Sequence, residues 1–154
     1  MSEKKTFNYK KIEEFMHAYY ECYNHNAHDA ESICKMDDYY SDDFQSIAYF
    51  GLPPYPQFDL AHWKGFLVEG SKKVIETLIP LEKAIDNDFM RVTTRLDLKY
   101  HARDTNELLL DIDGVAMYDL RIKQGNELEM THLHFFCSNP TGLAQLYGLV
   151  PPQQ

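Results

Sequence analysis

The sequence predicts an α+β fold, in which helices occupy the first part of the chain and long strands the second. In the first part, apolar residues recur at three- and four-residue steps, the period of an amphipathic helix. From about residue 90 onwards, apolar and polar residues alternate, which is typical of a strand with one buried face. We therefore expect a mostly antiparallel sheet that is covered on one face by helices.

The helical segments come first along the chain. One helix is predicted from about Tyr9 to Asn24, and a second begins near Asp29, whose carboxylate can cap its first turn. A third is predicted from about Leu60 to Leu78, after the segment GLPPYPQFD, whose prolines indicate an ordered loop. The apolar stripe of the first helix comprises Ile12, Phe15, Met16, Tyr19 and Tyr23.

Strand signals follow in the second part. A short strand is predicted from Phe44 to Phe50, between the second and third helices, and a long one from Met90 to Tyr100. LLLDIDGVAMYDLRI forms the next strand and LEMTHLHFFC the last, with KQGNE as the hairpin turn between them. The final segment, NPTGLAQLYGLVPPQQ, indicates a turn, a short helix and a proline stop.

Composition limits the classes of function. The net charge is −9, and an acidic surface repels phosphate backbones, so no nucleic-acid partner is expected. No apolar run reaches the roughly 20 residues that a membrane span needs, and MSEKKTFNYKK lacks the apolar core of a secretory signal. Three cysteines without paired spacing indicate reduced thiols. We expect one cytoplasmic domain over residues 1–154, with no membrane partner.

This order of elements resembles the nuclear transport factor 2-like superfamily, specifically its SnoaL-like and ketosteroid-isomerase-like branch. The resemblance covers Phe15 to Pro152 and rests on FMHAYYECYNHNAHDAESICKMDDYYSDDF, GVAMYDLRIKQGNELEMTHLHFF and GLAQLYGLVPP. It implies a cone-shaped fold (a cystatin-like α+β barrel), in which N-terminal helices pack on a strongly curved sheet around an apolar pocket. It also implies pairing into a homodimer through the outer face of the sheet.

The same resemblance implies a role for Tyr19, the hydrogen-bond donor to a developing enolate oxygen. Tyr19 as an ordinary core phenol is the alternative. The two carboxylates of the ketosteroid isomerases align with Ala48 and Ala116, which cannot take a proton, so steroid-type isomerisation is disfavoured. The residues predicted to contact a ligand in the pocket are Phe15, Tyr23, Ala48, Phe50, Trp63, Ala116 and Tyr118.

Two histidines of the last strand are candidates for the missing proton-transfer groups. In a regular strand, His132 and His134 share a face with Met130, and a neutral imidazole in an apolar pocket can act as acid or base near neutral pH. Two alternatives stay open: the histidines lie in the core or at a subunit interface, or a β-bulge turns both outward. Asp111 and Asp113 are expected to face outward, opposite the small residues Gly114 and Ala116 that suit a cavity floor; the alternative, an acid–base pair of the two aspartates, needs the opposite strand phase.

The stretch MHAYYECYNHNAHD contains three histidines and one glutamate. His17 and Glu21 lie one turn apart, opposite the apolar stripe, while His25 and His28 fall where the helix must end. Because a metal ion needs about three or four converging ligands, we expect solvated groups here and no metal site. The chain also contains neither a Gly-rich phosphate loop nor an HExxH motif, and no cofactor is expected.

Together these patterns predict a domain that binds a small hydrophobic or aromatic molecule in an internal pocket. As an enzyme it would catalyse a cofactor-independent isomerisation, cyclisation or dehydration. Tyr19 would stabilise the oxyanion, and His132 or His134 would move the proton. The alternative is a non-catalytic ligand-binding or accessory homodimer of the same fold.

Overall fold

A computed structural model describes residues 9–50 and 53–149. The helices of this part of the chain are α1 (Tyr9–Asn26), α2 (Leu60–Gly70) and α3 (Pro140–Leu146). The strands are β1 (Tyr40–Tyr49), β2 (Gln57–Asp59), β3 (Val74–Asp86), β4 (Arg91–Ala102), β5 (Leu108–Lys123) and β6 (Glu127–Cys137). Short 3-10 turns span Ile33–Tyr39 and Gln124–Asn126. Within the described ranges, no helix is both long enough and apolar enough to cross a membrane.

The six strands form one mixed sheet in the order β2-β1-β6-β5-β4-β3. All neighbours pair antiparallel except β1 and β6, which run parallel. Strands β2 and β3 are the two edges, so the sheet is open and not a closed barrel. The predicted α+β class, with helices packed on a mostly antiparallel sheet, is confirmed.

The predicted third helix ends too late, because its last residues, from Val74 to Leu78, are the beginning of the edge strand β3. Helix α2 begins at Leu60, where the Asp59 carboxylate accepts a hydrogen bond from the His62 N–H, and it ends at Gly70. After Ser71 the burial pattern alternates, with Val74, Glu76 and Leu78 inward. β-Branched residues between these positions favour a strand.

Three other segments differ from the predictions, and one is GLPPYPQFD, which is expected to be a loop but contains the edge strand β2 at Gln57–Asp59. The helix expected near Asp29 is the 3-10 turn Ile33–Tyr39, and the first strand begins at Tyr40, four positions before the predicted start. The long strands β4, β5 and β6 lie where alternation predicts them. The proline stop expected after α3 lies outside the described residues, as do Gly51 and Leu52 of the proline-rich loop.

The core lies between α1 and the inner face of the sheet. Helix α1 buries the stripe predicted from its sequence, apart from Phe15, which is only half-buried. On β4 the alternate residues from Val92 to Tyr100 all face inward and are fully buried. Full burial of a large apolar side chain contributes roughly 1.5–3 kcal/mol, so these two rows provide much of the packing energy.

A β-bulge in β6 reverses the direction of its side chains. Strand β5 pairs Leu120 with Met130 and then Asp119 with His132, so Thr131 is an extra residue. Before it Met130 is inward, and after it Leu133 is inward instead. Side chains alternate with a period of two, so one inserted residue moves every later side chain to the opposite face.

Candidate active-site cavity

A narrow cavity lies between the three helices and the inner face of the sheet. It contains about 490 Å³ of space between atoms, its open mouth included, but only about 30 Å³ admits the centre of a water-sized sphere. One water molecule needs roughly 10–15 Å³ on that measure, so the cavity has room for only a few water molecules. Its wall consists of Tyr19, Tyr23, Ala48, Phe50, Trp63, Phe66, Leu67, Glu76, Leu78, Leu96, Tyr118, Leu133, Phe135, Leu143 and Tyr147.

The carboxylate of Glu76 is the principal polar feature of this wall. It is 8% exposed, and it projects from β3 among aromatic and aliphatic side chains. The Tyr23 hydroxyl donates to one of its oxygens at 2.5 Å, and the Tyr100 hydroxyl donates to the other at 2.5 Å. A buried charge is tolerated only when hydrogen bonds replace its hydration, and these two phenols supply them.

Both phenols remain hydrogen-bond donors over a wide pH range. Burial raises the pKa of Tyr23 and of Tyr100 well above the ordinary value of 10.0, and the nearby charge of Glu76 raises both further. The Tyr147 phenol, also in the wall, has a raised pKa for the same two reasons, burial first. The site therefore combines one carboxylate with neutral phenols.

Glu76 is absent from the predicted site because the sequence pattern predicts a helix from Val74 to Leu78. In a helix, Glu76 gives no sign of facing a pocket. The informative signal was the alternation of Val74, Glu76 and Leu78 with β-branched residues just after Gly70 and Ser71. An acidic residue on the inward phase of a strand indicates a functional group or a specific partner.

A second polar group is a hydrogen-bonded chain that ends at Tyr19. The Trp63 indole N–H donates to the Tyr40 oxygen at 3.3 Å, and the Tyr40 and Tyr19 oxygens lie 2.9 Å apart. Either hydroxyl can be the donor of this bond, and when Tyr40 donates to Tyr19 the Tyr19 hydrogen is left for a ligand. Burial raises the pKa of Tyr40 to about 12 and that of Tyr19 well above 10.0.

A phenol pair forms a third polar feature, beside the cavity. The Tyr20 hydroxyl donates to the Tyr118 oxygen at 3.0 Å, and burial raises the pKa of Tyr20 to about 12. Tyr118 contacts Tyr19 edge to face, with ring centroids 5.7 Å apart. The two rings thus present one continuous aromatic surface with hydroxyl groups at its edges.

Most of the side chains predicted at the pocket do line this cavity, namely Tyr19, Tyr23, Ala48, Phe50, Trp63 and Tyr118. Phe15 does not, because it lies at the edge of the α1 stripe and packs against Tyr39 outside the cavity. Ala116 does not line it either. It is buried, but the larger inward residues Leu96 and Tyr118 form the wall there.

The predicted inward direction of His132 and His134 is wrong. The bulge at Thr131 turns both to the outer face, and Leu133 and Phe135 take the inward positions. His132 is exposed, with its ring nitrogen 3.0 Å from the Thr131 hydroxyl. His134 lies 3.1 Å from the Tyr49 hydroxyl and stacks on that ring. Neither histidine lines the cavity that contains Tyr19 and Glu76.

The remaining acidic and histidine groups behave largely as solvated or structural groups. His17 and Glu21 lie 3.4 Å apart on the exposed face of α1. His28 is half-buried against Tyr23 and Ser71, and burial lowers its pKa below 6.5. The Asp111 carboxylate faces outward and accepts from Lys99. Over residues 9–50 and 53–149, no three His, Cys, Asp or Glu side chains converge as metal ligands.

Comparisons with known proteins identify the fold. The sequence matches no protein-family profile and no curated protein. Among solved structures, a ketosteroid isomerase-like protein of Erwinia carotovora atroseptica shares 15% identity and a TM-score of 0.61 over 87% of this chain and 100% of that one. A proposed polyketide cyclase of Xanthomonas campestris pv. campestris shares 18% identity and a TM-score of 0.61 over 82% and 89%.

A third similar structure is the BvnE pinacolase of Penicillium brevicompactum, with 10% identity and a TM-score of 0.67 over 90% of this chain and 88% of that one. At such low identities the likeness establishes the fold and not the activity. The chain therefore has the nuclear transport factor 2-like fold of the SnoaL-like and ketosteroid isomerase-like proteins.

Proposed function

We propose that this protein binds a small, largely apolar molecule in the cavity and catalyses a cofactor-independent proton transfer on it. The observation that carries the proposal is Glu76, a buried carboxylate held by Tyr23 and Tyr100 in an otherwise apolar wall. Such a group, desolvated and fixed by two donors, suits general acid–base chemistry. The reaction class is isomerisation, cyclisation or dehydration, which a single carboxylate and phenol donors can support.

Each polar group has a separate role in this proposal. Glu76 takes a proton from the carbon next to a carbonyl group and returns it at another position. The Tyr19 hydroxyl donates to the carbonyl oxygen as negative charge develops there, which requires a donor fixed before the reaction. The aromatic wall orients the ligand and excludes water. A carboxylate at β3 would thus replace the acids that are missing at Ala48 and Ala116.

The names of similar structures agree with this class of chemistry. One is described as a pinacolase, one as ketosteroid isomerase-like and one as a proposed polyketide cyclase. The small volume favours a compact substrate, or a ligand whose entry moves the α2 and α3 side chains of the wall. A non-catalytic binding protein is the alternative, and it is favoured by the engagement of both Glu76 oxygens with tyrosines.

Deuterium exchange tests the proposal without knowledge of the natural substrate. Acetone, cyclopentanone and phenylacetone are incubated with the protein in heavy water, and loss of the protons next to the carbonyl is followed by NMR. We expect the wild-type protein to accelerate exchange of at least one ketone. We expect Glu76→Gln to slow it by roughly a hundredfold to ten-thousandfold, the usual contribution of a general base.

The matched control is Glu13→Gln, which removes the same charge from the exposed face of α1. This control variant should catalyse exchange of the ketone protons at the wild-type rate. Ketone binding without exchange in the wild-type protein would favour the non-catalytic alternative. Equal exchange by wild type and Glu76→Gln would remove Glu76 from the chemistry.

A further inference from the structure

The only charged group in the cavity wall, among the described residues, is the carboxylate of Glu76. Glu76 is the only wall residue that is a carboxylate, and no Lys, Arg or His contributes to the wall among the described residues. Nor does Glu76 form an ion pair with any side chain of those residues. The His28 imidazole lies close enough to interact with this carboxylate, but burial lowers the pKa of His28 below 6.5, so His28 is neutral near neutral pH and supplies no counter-charge. An anion buried without a counter-charge is costly, and an incoming positive charge would relieve that cost.

The carboxylate also has acceptor capacity to spare. Its two oxygens offer about four lone-pair sites, of which Tyr23 and Tyr100 use two. The two donors belong to α1 and β4, while Glu76 is itself part of the cavity wall. The unused sites are therefore available to a donor that enters the cavity.

Aromatic rings dominate the rest of the wall and add attraction for a cation. A positive nitrogen interacts favourably with a ring face within about 6 Å of its centroid. The wall rings pack against one another, with centroids 6.0 Å apart for Tyr19 and Tyr23, 6.1 Å for Trp63 and Phe66, and 5.2 Å for Phe66 and Tyr147, so much of the wall is aromatic surface. A carboxylate among several aromatic faces is the arrangement that binds ammonium groups.

The net charge of the whole chain also favours a cationic ligand. Its net charge of −9 attracts cations and repels anions before they reach the cavity. A carboxylate or phosphate ligand would, in addition, meet the like charge of Glu76 in a water-poor space. Anionic substrates are thus disfavoured both at long range and in contact.

We infer that the preferred ligand of this cavity is an organic cation, a protonated amine or a quaternary ammonium compound, whose nitrogen lies beside Glu76 and against the aromatic wall. The inference rests on the proposed function, since it assigns the substrate class of the same cavity. A cationic nitrogen is also compatible with the proposed proton transfer, because it acidifies the neighbouring carbon–hydrogen bonds.

Two probes of the same shape test the inference. They are choline and its uncharged carbon analogue, in which a tert-butyl group replaces the trimethylammonium group, and calorimetry or ligand-observed NMR gives each Kd. Any widening of the cavity is the same for both probes, so the ratio of Kd values reports the charge alone. We expect the wild-type protein to bind choline about tenfold or more tightly than the analogue.

The variants locate the origin of that preference. Glu76→Gln should lose the preference for choline. Glu13→Gln should keep that preference, although the two variants have the same net charge. Equal binding of both probes by the wild-type protein would overturn the inference and leave the proposed function intact, as would a preference that survives in Glu76→Gln. Binding of neither probe would also overturn it, and the ketone exchange assay would then decide the proposed function separately. The wild-type ratio does not depend on the folding of any variant.

Discussion

Glu76 receives its two hydrogen bonds from different elements, Tyr23 on α1 and Tyr100 on β4. The carboxylate therefore connects the edge strand β3 to both the helix and the neighbouring strand. The charge can be buried only when these three side chains, which are far apart in sequence, are in contact in the folded protein. At the scale of single residues, this triad is the feature on which both stability and proposed activity depend.

Removal of one phenol donor should destabilise the fold. Tyr100→Phe keeps the ring but leaves one oxygen of Glu76 without its donor, and a hydrogen bond to a charged group contributes roughly 1.5–3 kcal/mol. We expect a loss of that size in the free energy of unfolding, measured by urea denaturation. Tyr39→Phe is the control, because Tyr39 is half-exposed and contributes ring packing. Equal stability of the two variants would contradict the account of Glu76.

Helical periodicity could place some cavity residues and not others. The stripe of α1 correctly put Tyr19 and Tyr23 on the inner side, because a helix of that length has one unambiguous buried face. The direction of Glu76 depended on a strand that was mistaken for a helix. Its two tyrosine partners are far from it in sequence, and a single sequence contains no signal that these side chains form hydrogen bonds with Glu76.

At the scale of secondary structure, the bulge at Thr131 decides which side chains of β6 reach the cavity. The inserted residue exchanges the faces of the strand, so Leu133 enters the wall and His134 stacks on Tyr49 outside. Nothing in LEMTHLHFFC marks the position of the bulge, since bulges depend on pairing with β5. The orientation of the two histidines was therefore beyond sequence reasoning.

Because the bulge turns both histidines to the outer face, we predict that their removal has little effect on proton exchange. The double variant His132→Ala/His134→Ala should exchange ketone protons within about twofold of the wild-type rate, because neither side chain lines the cavity and surface substitutions usually change stability by less than about 0.5 kcal/mol. NMR exchange rates under the conditions used for Glu76→Gln provide the comparison. A loss as large as that of Glu76→Gln would show that the histidines reach the substrate and would contradict the bulge.

At the scale of the whole molecule, buried tyrosines couple the fold to alkaline pH. The pKa is raised to about 12 for Tyr20 and Tyr40, and well above 10.0 for Tyr19, Tyr23, Tyr100, Tyr118 and Tyr147, mainly by burial. A pKa raised in the folded state means that the folded protein holds these protons more tightly than the unfolded chain. Their contribution to stability is complete below about pH 10 and is lost as the pH rises through the folded values.

We therefore expect cooperative unfolding above about pH 10, accompanied by ionisation of the buried phenols. Ultraviolet absorbance of phenolate and circular dichroism should change together in one alkaline titration. Ionisation of all the tyrosines in a step that precedes any loss of structure would contradict the burial of these groups.

The outer face of the sheet bears on the proposed homodimer. Tyr49 and Phe136 stack there with ring centroids 4.4 Å apart, and Phe136 is 38% exposed. Phe136→Glu would place a charge in the centre of a pairing surface. We expect it to convert a dimer into a monomer in light scattering after gel filtration, while His101→Glu, near the opposite edge, leaves the mass unchanged. A wild-type monomer would refute the pairing.

Much of the fold followed from the sequence, whereas the chemistry of the site followed only in part. The three long strands and α1 have strong periodicity over many residues, which local pattern alone can specify. The short turn after Asp29 and the edge strand β3 depend on tertiary packing, so their types were assigned wrongly. The cavity is bounded by β3 and β6. The helix predicted in place of β3 left Glu76 out of the predicted site, and the unpredicted bulge in β6 put His132 and His134 into it.

A crystal structure of the protein grown with a saturating ketone, such as cyclopentanone, would test the central claim most directly. We predict that the ketone lies within the aromatic wall, with its oxygen at hydrogen-bond distance from Tyr19 and one of its neighbouring carbons facing Glu76. A ketone bound at the outer face beside His134 and Tyr49, with the cavity closed by its own side chains, would contradict the account.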